Sequence, residues 1–170
     1  AAFVAAFLVL LIFILALFDQ TGSQKQFFQR KSYEARLFAS DAKFVGTVEN
    51  SLEKNAQIFI LPIFGFPEIL GDNYDGLRIY IHSQNLHLSY PAIANRGAHL
   101  WQEKIKNLPF KNFIAELKKA GFTGVIIDRR HYAEFNKDGW NKLRSLEKDF
   151  KKLHKEQISS PDFNWIFFKI

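Results

Sequence analysis

Hydrophobic and polar positions divide the chain into a wholly apolar start and a patterned remainder. Positions 1–18 read AAFVAAFLVLLIFILALF and contain no polar side chain. At about 1.5 Å rise per residue, a helix of this length spans roughly 27 Å, close to the ~30 Å hydrocarbon core of a bilayer. The pattern predicts a transmembrane helix, with a signal-peptide core as the alternative. Because a chain that begins Ala-Ala-Phe does not begin at a translated start, we expect it to be a fragment of a longer protein.

The next segment returns to a helical period. Apolar residues recur every three or four positions from 24 to 52, so we assign 19–56 to a juxtamembrane helical segment. A short apolar run follows at 57–64, and it predicts a strand that Pro62 confines to a sheet edge or to the end of the strand. The residues between 64 and 76 are rich in Gly, Pro, Asn and Asp, which is typical of a loop.

The remaining chain alternates strand patterns with helix patterns. Apolar and polar residues alternate at 77–82 and 86–90, which predicts two half-buried strands. A helical stripe ends before Gly121, and a buried strand follows it. Further elements are predicted as follows: a short helix at 98–106, the striped helix at 110–119, the buried strand at 124–127, a helix at 140–153 and a last strand at 163–170. We therefore expect 57–170 to form an α/β domain with a small mixed sheet and flanking helices, preceded by one transmembrane helix.

Composition narrows the functional classes. The chain has 23 Lys+Arg, 17 Asp+Glu, a net charge of +6 and no Cys, and every charge lies after position 18. The absence of Cys excludes disulfides and thiolate chemistry. The basic residues are scattered except at 148–155, which lies on a predicted helix face, so we expect no nucleic-acid partner. The basic residues that follow the apolar helix favour a cytoplasmic domain, although the other flank needed to apply the positive-inside rule is not in the chain.

Several short motifs carry a resemblance to a known family. They lie between about Asp41 and Tyr132: a strand that ends in Leu61-Pro62, a loop with Pro67-Glu68, the pair Ser89-Tyr90, and a strand that runs from Gly121-Phe122 through Gly124 to Asp128-Arg129. With these motifs the chain resembles the extracytoplasmic C-terminal domain of polytopic bacterial membrane proteins related to GT-C-type (lipid-linked sugar) glycosyltransferases. The resemblance implies that the apolar helix at 1–18 is the last membrane span of the longer protein. None of the motifs is a catalytic signature.

This resemblance implies a role and a location. It implies an accessory or substrate-contacting domain of a membrane glycosyltransferase of envelope glycan biosynthesis, because the catalytic acid of GT-C enzymes lies in a loop between membrane helices. It implies the bacterial inner membrane, with the domain facing the periplasm, and we prefer this placement to the cytoplasmic one. The expected partners are membrane lipid, a lipid-linked sugar or glycan, and the upstream transmembrane part of the same chain. A non-enzymatic membrane-anchored binding or assembly module is the alternative.

Candidate binding residues follow the predicted buried strand. Ligands of open α/β sheets bind beyond the carboxyl ends of the strands, which is where Asp128 and Arg129 stand. Arg pairs with phosphate, Asp accepts sugar hydroxyls, and Tyr132 or Trp101 offers an aromatic face for a sugar ring. Further candidates for the same cleft are Arg96 and Tyr90, and two more candidate binding residues, Glu68 and Arg78, lie in and directly after the acidic loop at 64–76. A buried Asp-Arg pair that locks the strand to a neighbouring loop is the structural alternative.

Two further possibilities are hydrolysis by paired carboxylates and metal binding by histidines. Glu68 with Asp72 or Asp75 offers the paired carboxylates of a tethered glycan hydrolase, although a solvated acidic loop has the same composition. Three histidines, His82, His87 and His99, lack the spacing of a metal motif, so we expect no metal and no cofactor.

Overall fold

The computed structural model describes residues 2–21, 24–67, 76–90, 92–134, 136–153 and 156–170. The chain divides into two compact units, Ala1–Phe38 and Ala39–Ile170. The second unit therefore includes the last part of the predicted juxtamembrane segment as well as the predicted α/β domain.

The first unit contains helix α1 (Ala2–Thr21) and the beginning of helix α2 (Gln24–Asn50). Large apolar side chains are exposed along α1 from Phe3 to Leu17. Within the described part of the chain, no helix combines the length and hydropathy needed to cross a bilayer.

The second unit is built on a mixed sheet. Its strands are β1 (Gln57–Leu61), β3 (His87–Leu88), β5 (Phe122–Asp128), β6 (Gln157–Ser159) and β7 (Trp165–Lys169). The order across the sheet is β3-β1-β5-β7-β6; β3, β1 and β5 are parallel, and β7 runs antiparallel to both β5 and β6. Two short strands, β2 (Gly65–Phe66) and β4 (Ala92–Ile93), pair separately in parallel. The predicted mixed α/β class is confirmed.

Helices cover both faces of the sheet. They are α3 (Gly76–His82), α4 (Gly97–Ile105), α5 (Phe110–Lys119), α6 (Arg129–Glu134) and α7 (Asn136–Leu153). Strand residues alternate between the two faces, so that Phe59 and Val125 pack with α4, α5 and α7 whereas Ile58 and Ile126 pack with α2 and α3. The result is a three-layer α/β/α arrangement with a separate apolar core on each face of the sheet.

Two glycines are required by their surroundings. Gly121 ends α5 with φ +90°, the left-handed conformation that side chains disfavour, and this confirms the predicted helix stop. Gly124 lies in β5 under a ring, because a Cβ there would stand 2.2 Å from Cε2 of Phe167. The two glycines of the Gly121–Gly124 motif are therefore explained by backbone conformation and by packing.

One predicted strand is wrong. The segment 77–82 belongs to helix α3, in which Gly76 and Ile79 are buried one turn apart while Ile81 is 67% exposed. Strict alternation would have buried Ile81 as well. Six residues are too few to distinguish a period of two from a helical period. The helical conformation allows Ile79 to pack against the apolar side chains of α2.

The other predicted elements fare better. The helices at 98–106, 110–119 and 140–153 and the strands at 57–64, 124–127 and 163–170 are confirmed with shifted ends. Pro62 directly follows the end of β1, which confirms the predicted position at the end of the strand. The alternative, an edge strand, is wrong, because β1 lies between β3 and β5. Strand β6 has no counterpart among the predicted elements.

Candidate functional site

One edge of the sheet collects the polar residues that the sequence singles out. The carboxyl ends of the parallel strands β1, β3 and β5 meet there, together with the amino end of β7, since Asp128 pairs with Trp165. The loop at 160–164 reaches the same edge because it leads directly into β7. This is the edge at which α/β proteins bind ligands.

Asp128 is the structural centre of this edge. Its side chain is buried, with a residue exposure of 1%, at the end of β5. Oδ1 accepts hydrogen bonds from the backbone N–H of Arg130 at 3.0 Å and from Nε of Arg130 at 3.1 Å, and Oδ2 accepts one from Nη2 of Arg130 at 2.9 Å. Nδ1 of His131 also lies 3.0 Å from Oδ2. The carboxylate therefore fixes the first turn of α6 onto the sheet.

These contacts keep Asp128 ionised. Burial alone would raise the pKa of Asp128, but hydrogen bonds with His131 and Arg130 and the positive charge of Arg130 outweigh it and lower the pKa below 3.8. The guanidinium of Arg130 also lies over the indole of Trp165, 4.8 Å from the ring centroid. Since its carboxylate is buried and occupied, Asp128 is an anchor for α6 and not a group that meets solvent.

Arg129 connects three elements at the same edge. Its Nε donates to Oε1 of Glu147 on α7 at 2.7 Å, and its Nη1 donates to the backbone carbonyl of Phe163 at 3.1 Å. Its backbone N–H donates to the carbonyl of Asn164 at 2.9 Å. Arg129 therefore holds α6, α7 and the loop before β7 together.

A crevice opens beside these two residues, and we call it the basic–aromatic crevice. Its volume is about 460 Å³, within the ~300–1,000 Å³ range of small-ligand sites. Its lining comprises Arg129, Arg130, Trp140, Leu143, Arg144, Glu147, Phe163 and Asn164. Three guanidinium groups and two large aromatic rings therefore border a single cavity.

The aromatic rings of this crevice are presented to solvent. Trp140 is 44% exposed and Phe163 is 69% exposed. Phe163 has φ +60°, a left-handed conformation that is uncommon for a bulky residue. Asp162 stabilises this turn, because its carboxylate accepts hydrogen bonds from Oγ of Ser160 at 2.5 Å and from the backbone N–H of Asn164 at 3.1 Å. The turn thus holds an exposed aromatic ring at the mouth of the cavity.

The charges of the crevice are compensated unequally. Arg129 is paired with Glu147 and Arg130 with Asp128. Arg144 lies one helical turn after Trp140 on α7, is exposed, and has no ion pair within the described residues. Its guanidinium therefore remains available to an anionic group bound next to Trp140.

Tyr132 lines a different cavity. It is 7% exposed and borders a cleft of about 520 Å³ between the end of β1, the segment after α4, and α7. We call this the apolar cleft; its apolar lining is Leu61, Pro62, Ile63, Leu108, Phe110, Phe113, Tyr132 and Leu146. Asp128, Arg129 and Tyr132 thus lie at the same edge of the sheet, but Arg129 lines the basic–aromatic crevice whereas Tyr132 lines the apolar cleft.

Four other predicted binding residues line neither cavity. Trp101 stacks on Phe122 with ring centroids 6.1 Å apart and meets Phe59 edge-on at 6.2 Å. Tyr90 is buried with its ring against Gly76, because a Cβ on that glycine would lie 2.8 Å from the ring. These two aromatic residues contribute to the packing of the unit.

The two remaining arginine candidates have different settings. Arg78 donates through Nε and Nη2 to Oδ2 of Asp41 at 2.8 and 2.6 Å, and Nε1 of Trp165 donates to Oδ1 of the same carboxylate at 2.8 Å. Arg78 thus ties α3 to α2. Arg96 is exposed and stands immediately before α4. Glu68, Asp72 and Asp75 lie outside the described residues, so the carboxylate pair stays a prediction.

Metal ligation finds no geometric support in the described ranges. Over residues 2–21, 24–67, 76–90, 92–134, 136–153 and 156–170, no group of three or more His, Asp or Glu side chains is arranged to hold a metal ion. His99 instead accepts a hydrogen bond through Nδ1 from the backbone N–H of Asn95 at 3.2 Å.

Three residues of the crevice are not among those that the sequence predicts. Trp140 fits the apolar stripe of the predicted helix at 140–153, and Arg144 resembles any basic residue on a solvated face. Phe163 falls within the predicted last strand. The available signal was the turn sequence Ser160-Pro161-Asp162 directly before Phe163, which indicates a tight turn whose next residue is free to face outward.

Comparisons with known proteins add no relative. The chain matches no protein-family model, no curated protein and no solved structure.

Proposed function

We propose that the α/β unit is an accessory ligand-binding domain that holds a phosphorylated sugar, as part of a membrane-linked glycan, in the basic–aromatic crevice. The observation that carries the proposal is the placement of Arg144 beside the exposed rings of Trp140 and Phe163. An aromatic face packs against the C–H groups of a sugar ring, and a guanidinium forms forked hydrogen bonds with phosphate. The combination suits a ligand that carries both groups.

A binding role fits the electrostatics better than a catalytic one. Asp128 is buried and ionised, and its oxygens are occupied by Arg130 and His131. A general acid must present a proton to the substrate, whereas this carboxylate holds α6 in place. We therefore assign Asp128 and Arg129 to the frame of the crevice, and Arg144, Trp140 and Phe163 to ligand contact.

The membrane setting is part of the same proposal. The resemblance of the segment from Asp41 to Tyr132 supports a GT-C-like glycosyltransferase of envelope glycan biosynthesis, with this domain outside the cytoplasm at the bacterial inner membrane. The exposed apolar side chains of α1, from Phe3 to Leu17, support embedding of that helix in lipid. An anchored domain would meet glycans whose lipid end lies in the same membrane.

Titration with glucose 1-phosphate tests the binding role. In the 170-residue chain held in nanodiscs of neutral lipid, we expect Arg144→Gln to weaken binding roughly tenfold, because it removes a charge-assisted contact of about 1.4 kcal/mol. Arg96→Gln is the matched control, since Arg96 is an exposed arginine outside the crevice. Equal weakening by both variants, or no binding of glucose 1-phosphate to the parent chain, would overturn the proposal.

Cysteine labelling tests the location. The chain contains no Cys, so single substitutions at the exposed positions Ser159 and Lys111 introduce unique thiols. Labelling by a membrane-impermeant maleimide in intact cells is the expected result for an extracytoplasmic domain. Protection of both positions until the cells are lysed would place the domain in the cytoplasm and contradict this part of the proposal.

A further inference from the structure

The apolar cleft is lined in part by a tyrosine. Tyr132 is 7% exposed, and its hydroxyl makes no hydrogen bond within the described part of the chain. Burial raises the pKa of Tyr132 above its ordinary value, and no hydrogen bond contributes to that shift. The hydroxyl is not among the fully enclosed polar atoms of the described residues, so a molecule in the cleft can reach it, and tyrosine hydroxyls beside apolar surface usually take a hydrogen-bond partner. Tyr132 is therefore poised to donate to something that enters the cleft.

The size and the walls of the cleft indicate a small apolar molecule. The volume of about 520 Å³ falls in the range of small-ligand sites, which is ~300–1,000 Å³. Leu61, Ile63, Phe113 and Leu146 contribute side chains to the wall, and the sheet core behind Tyr132 is also apolar. Mostly apolar walls with a few polar groups are typical of such sites, and the uncharged hydroxyl-bearing residues of this lining are Tyr132 and Ser145.

The charges at the mouth select the ligand further. The charged side chains of the cleft are two lysines and two aspartates, Lys106, Lys142, Asp138 and Asp149. Lys106 is paired with Glu103 at 2.5 Å and Asp149 with Lys152 at 3.1 Å, so neither sign of charge prevails. A mouth of balanced charge gives no preference for an anionic or a cationic head group.

We infer that the apolar cleft binds a neutral apolar molecule that carries one hydrogen-bond-accepting oxygen, of the ketone or ester class, and that Tyr132 donates its hydroxyl proton to that oxygen. The ligand oxygen then replaces water as the partner of the hydroxyl, while the hydrocarbon part of the ligand replaces water against the wall. This site is separate from the basic–aromatic crevice, and the inference does not depend on the proposed function.

Binding of 2-nonanone tests the inference. The 170-residue chain in amphipol is titrated with this ketone and followed by ligand-observed NMR. We expect saturable binding, and we expect Tyr132→Phe to weaken it roughly fivefold to tenfold, because the ring is retained and only the hydrogen bond is lost. Tyr80→Phe is the matched control, since Tyr80 is an exposed tyrosine on α3.

A cavity-filling variant supplies the second arm. Leu146→Trp places a larger ring in the cleft, and we expect it to abolish saturable binding and so to reveal any partitioning of ketone into amphipol. An unchanged melting temperature of Tyr132→Phe shows that the weaker binding does not come from unfolding. Equal affinity of the parent chain and Tyr132→Phe, or saturable binding that survives in Leu146→Trp, would overturn the inference.

Discussion

Two cavities lie on opposite sides of helix α7, and they differ in chemistry because the helix presents a different row of residues to each. Trp140, Leu143, Arg144 and Glu147 follow a spacing of three and four and line the basic–aromatic crevice. Gly139, Lys142 and Leu146 follow the same spacing one position earlier and line the apolar cleft. A single amphipathic helix can thus border two sites of different character, since residues three and four apart share a face.

Helix α6 also contributes residues to both cavities, and it does so within four consecutive positions. Arg129 and Arg130 border the basic–aromatic crevice, whereas Tyr132 borders the apolar cleft. Asp128 fixes the first turn of this helix to the sheet and so supports both cavities at once. The buried carboxylate therefore supports the frame of both cavities, and the residues that line each cavity give it its own chemical character.

The largest expected effect comes from removal of the shared support. Asp128→Ala leaves Arg130 and His131 without their buried carboxylate, and we expect it to destabilise the unit by about 3 kcal/mol. Urea unfolding of the chain measures this loss, and both cavities should lose their ligands together. Lys152→Gln is the control, because Lys152 lines neither cavity and its ion pair with Asp149 is at the surface and contributes less than about 1 kcal/mol. A stable Asp128→Ala variant would show that α6 does not need this anchor.

A second variant separates the frame from the sites. Gly124→Ala places a Cβ 2.2 Å from Cε2 of Phe167, on the face of the sheet away from both cavities. We expect a loss of about 2 kcal/mol in unfolding free energy from overpacking, with both ligand affinities unchanged below the melting temperature. Gly46→Ala is the control, since a Cβ there meets no atom within 4 Å and Ala favours a helix by up to about 1 kcal/mol. Lower affinity in folded Gly124→Ala would contradict the separation.

A crossed pair of variants tests the independence of the two cavities. Trp140→Ala should weaken glucose 1-phosphate binding roughly tenfold, or about 1.4 kcal/mol, and leave 2-nonanone binding unchanged. Leu146→Trp should do the reverse. Calorimetric titration of both variants with both ligands gives four affinities. If either variant weakens the binding of both ligands while its melting temperature is unchanged, the two cavities are coupled, and their independence is contradicted.

The smallest expected effect is a pH dependence of stability. The pKa of Asp128 is lowered below 3.8 in the folded chain, so the unfolded chain binds the proton more readily. The stabilisation from this group is therefore complete above about pH 5, and it is lost as the pH falls through the folded pKa. We expect the difference in unfolding free energy between the parent chain and Asp128→Asn to shrink from pH 5 to pH 3, in urea titrations at fixed salt. A constant difference would contradict it.

Local patterns predicted much of the sheet and several of the helices. The stripe of α5, its stop at Gly121 and the strand after it follow from periodicity and backbone conformation, and all three are present. Helix α3 was mistaken for a strand because the burial of Ile79 depends on α2, which is distant in sequence. Strand β6 is short and its burial is partial, so its pattern carried little signal.

The candidate site was predicted by position more than by chemistry. The rule on strand ends predicts the correct edge for Asp128 and Arg129. In the structure, however, Asp128 is paired with Arg130 and His131, and Arg129 is paired with Glu147. Residue type alone makes Trp101 and Arg78 candidates, but it does not reveal the stacking of Trp101 on Phe122 or the pairing of Arg78 with the buried carboxylate of Asp41. Exposure, which distinguished Trp140 from a core residue, depends on the tertiary fold.

The most direct test of the central claim uses the three tryptophans as reporters. Trp140 lies in the basic–aromatic crevice, Trp101 is packed on Phe122, and Trp165 is buried with its indole N–H on Asp41. In a ¹⁵N-tryptophan-labelled chain titrated with glucose 1-phosphate, we expect the indole resonance of Trp140 to shift while the resonances of Trp101 and Trp165 stay in place. A titration that leaves Trp140 unmoved, or that moves all three resonances equally, would contradict the account.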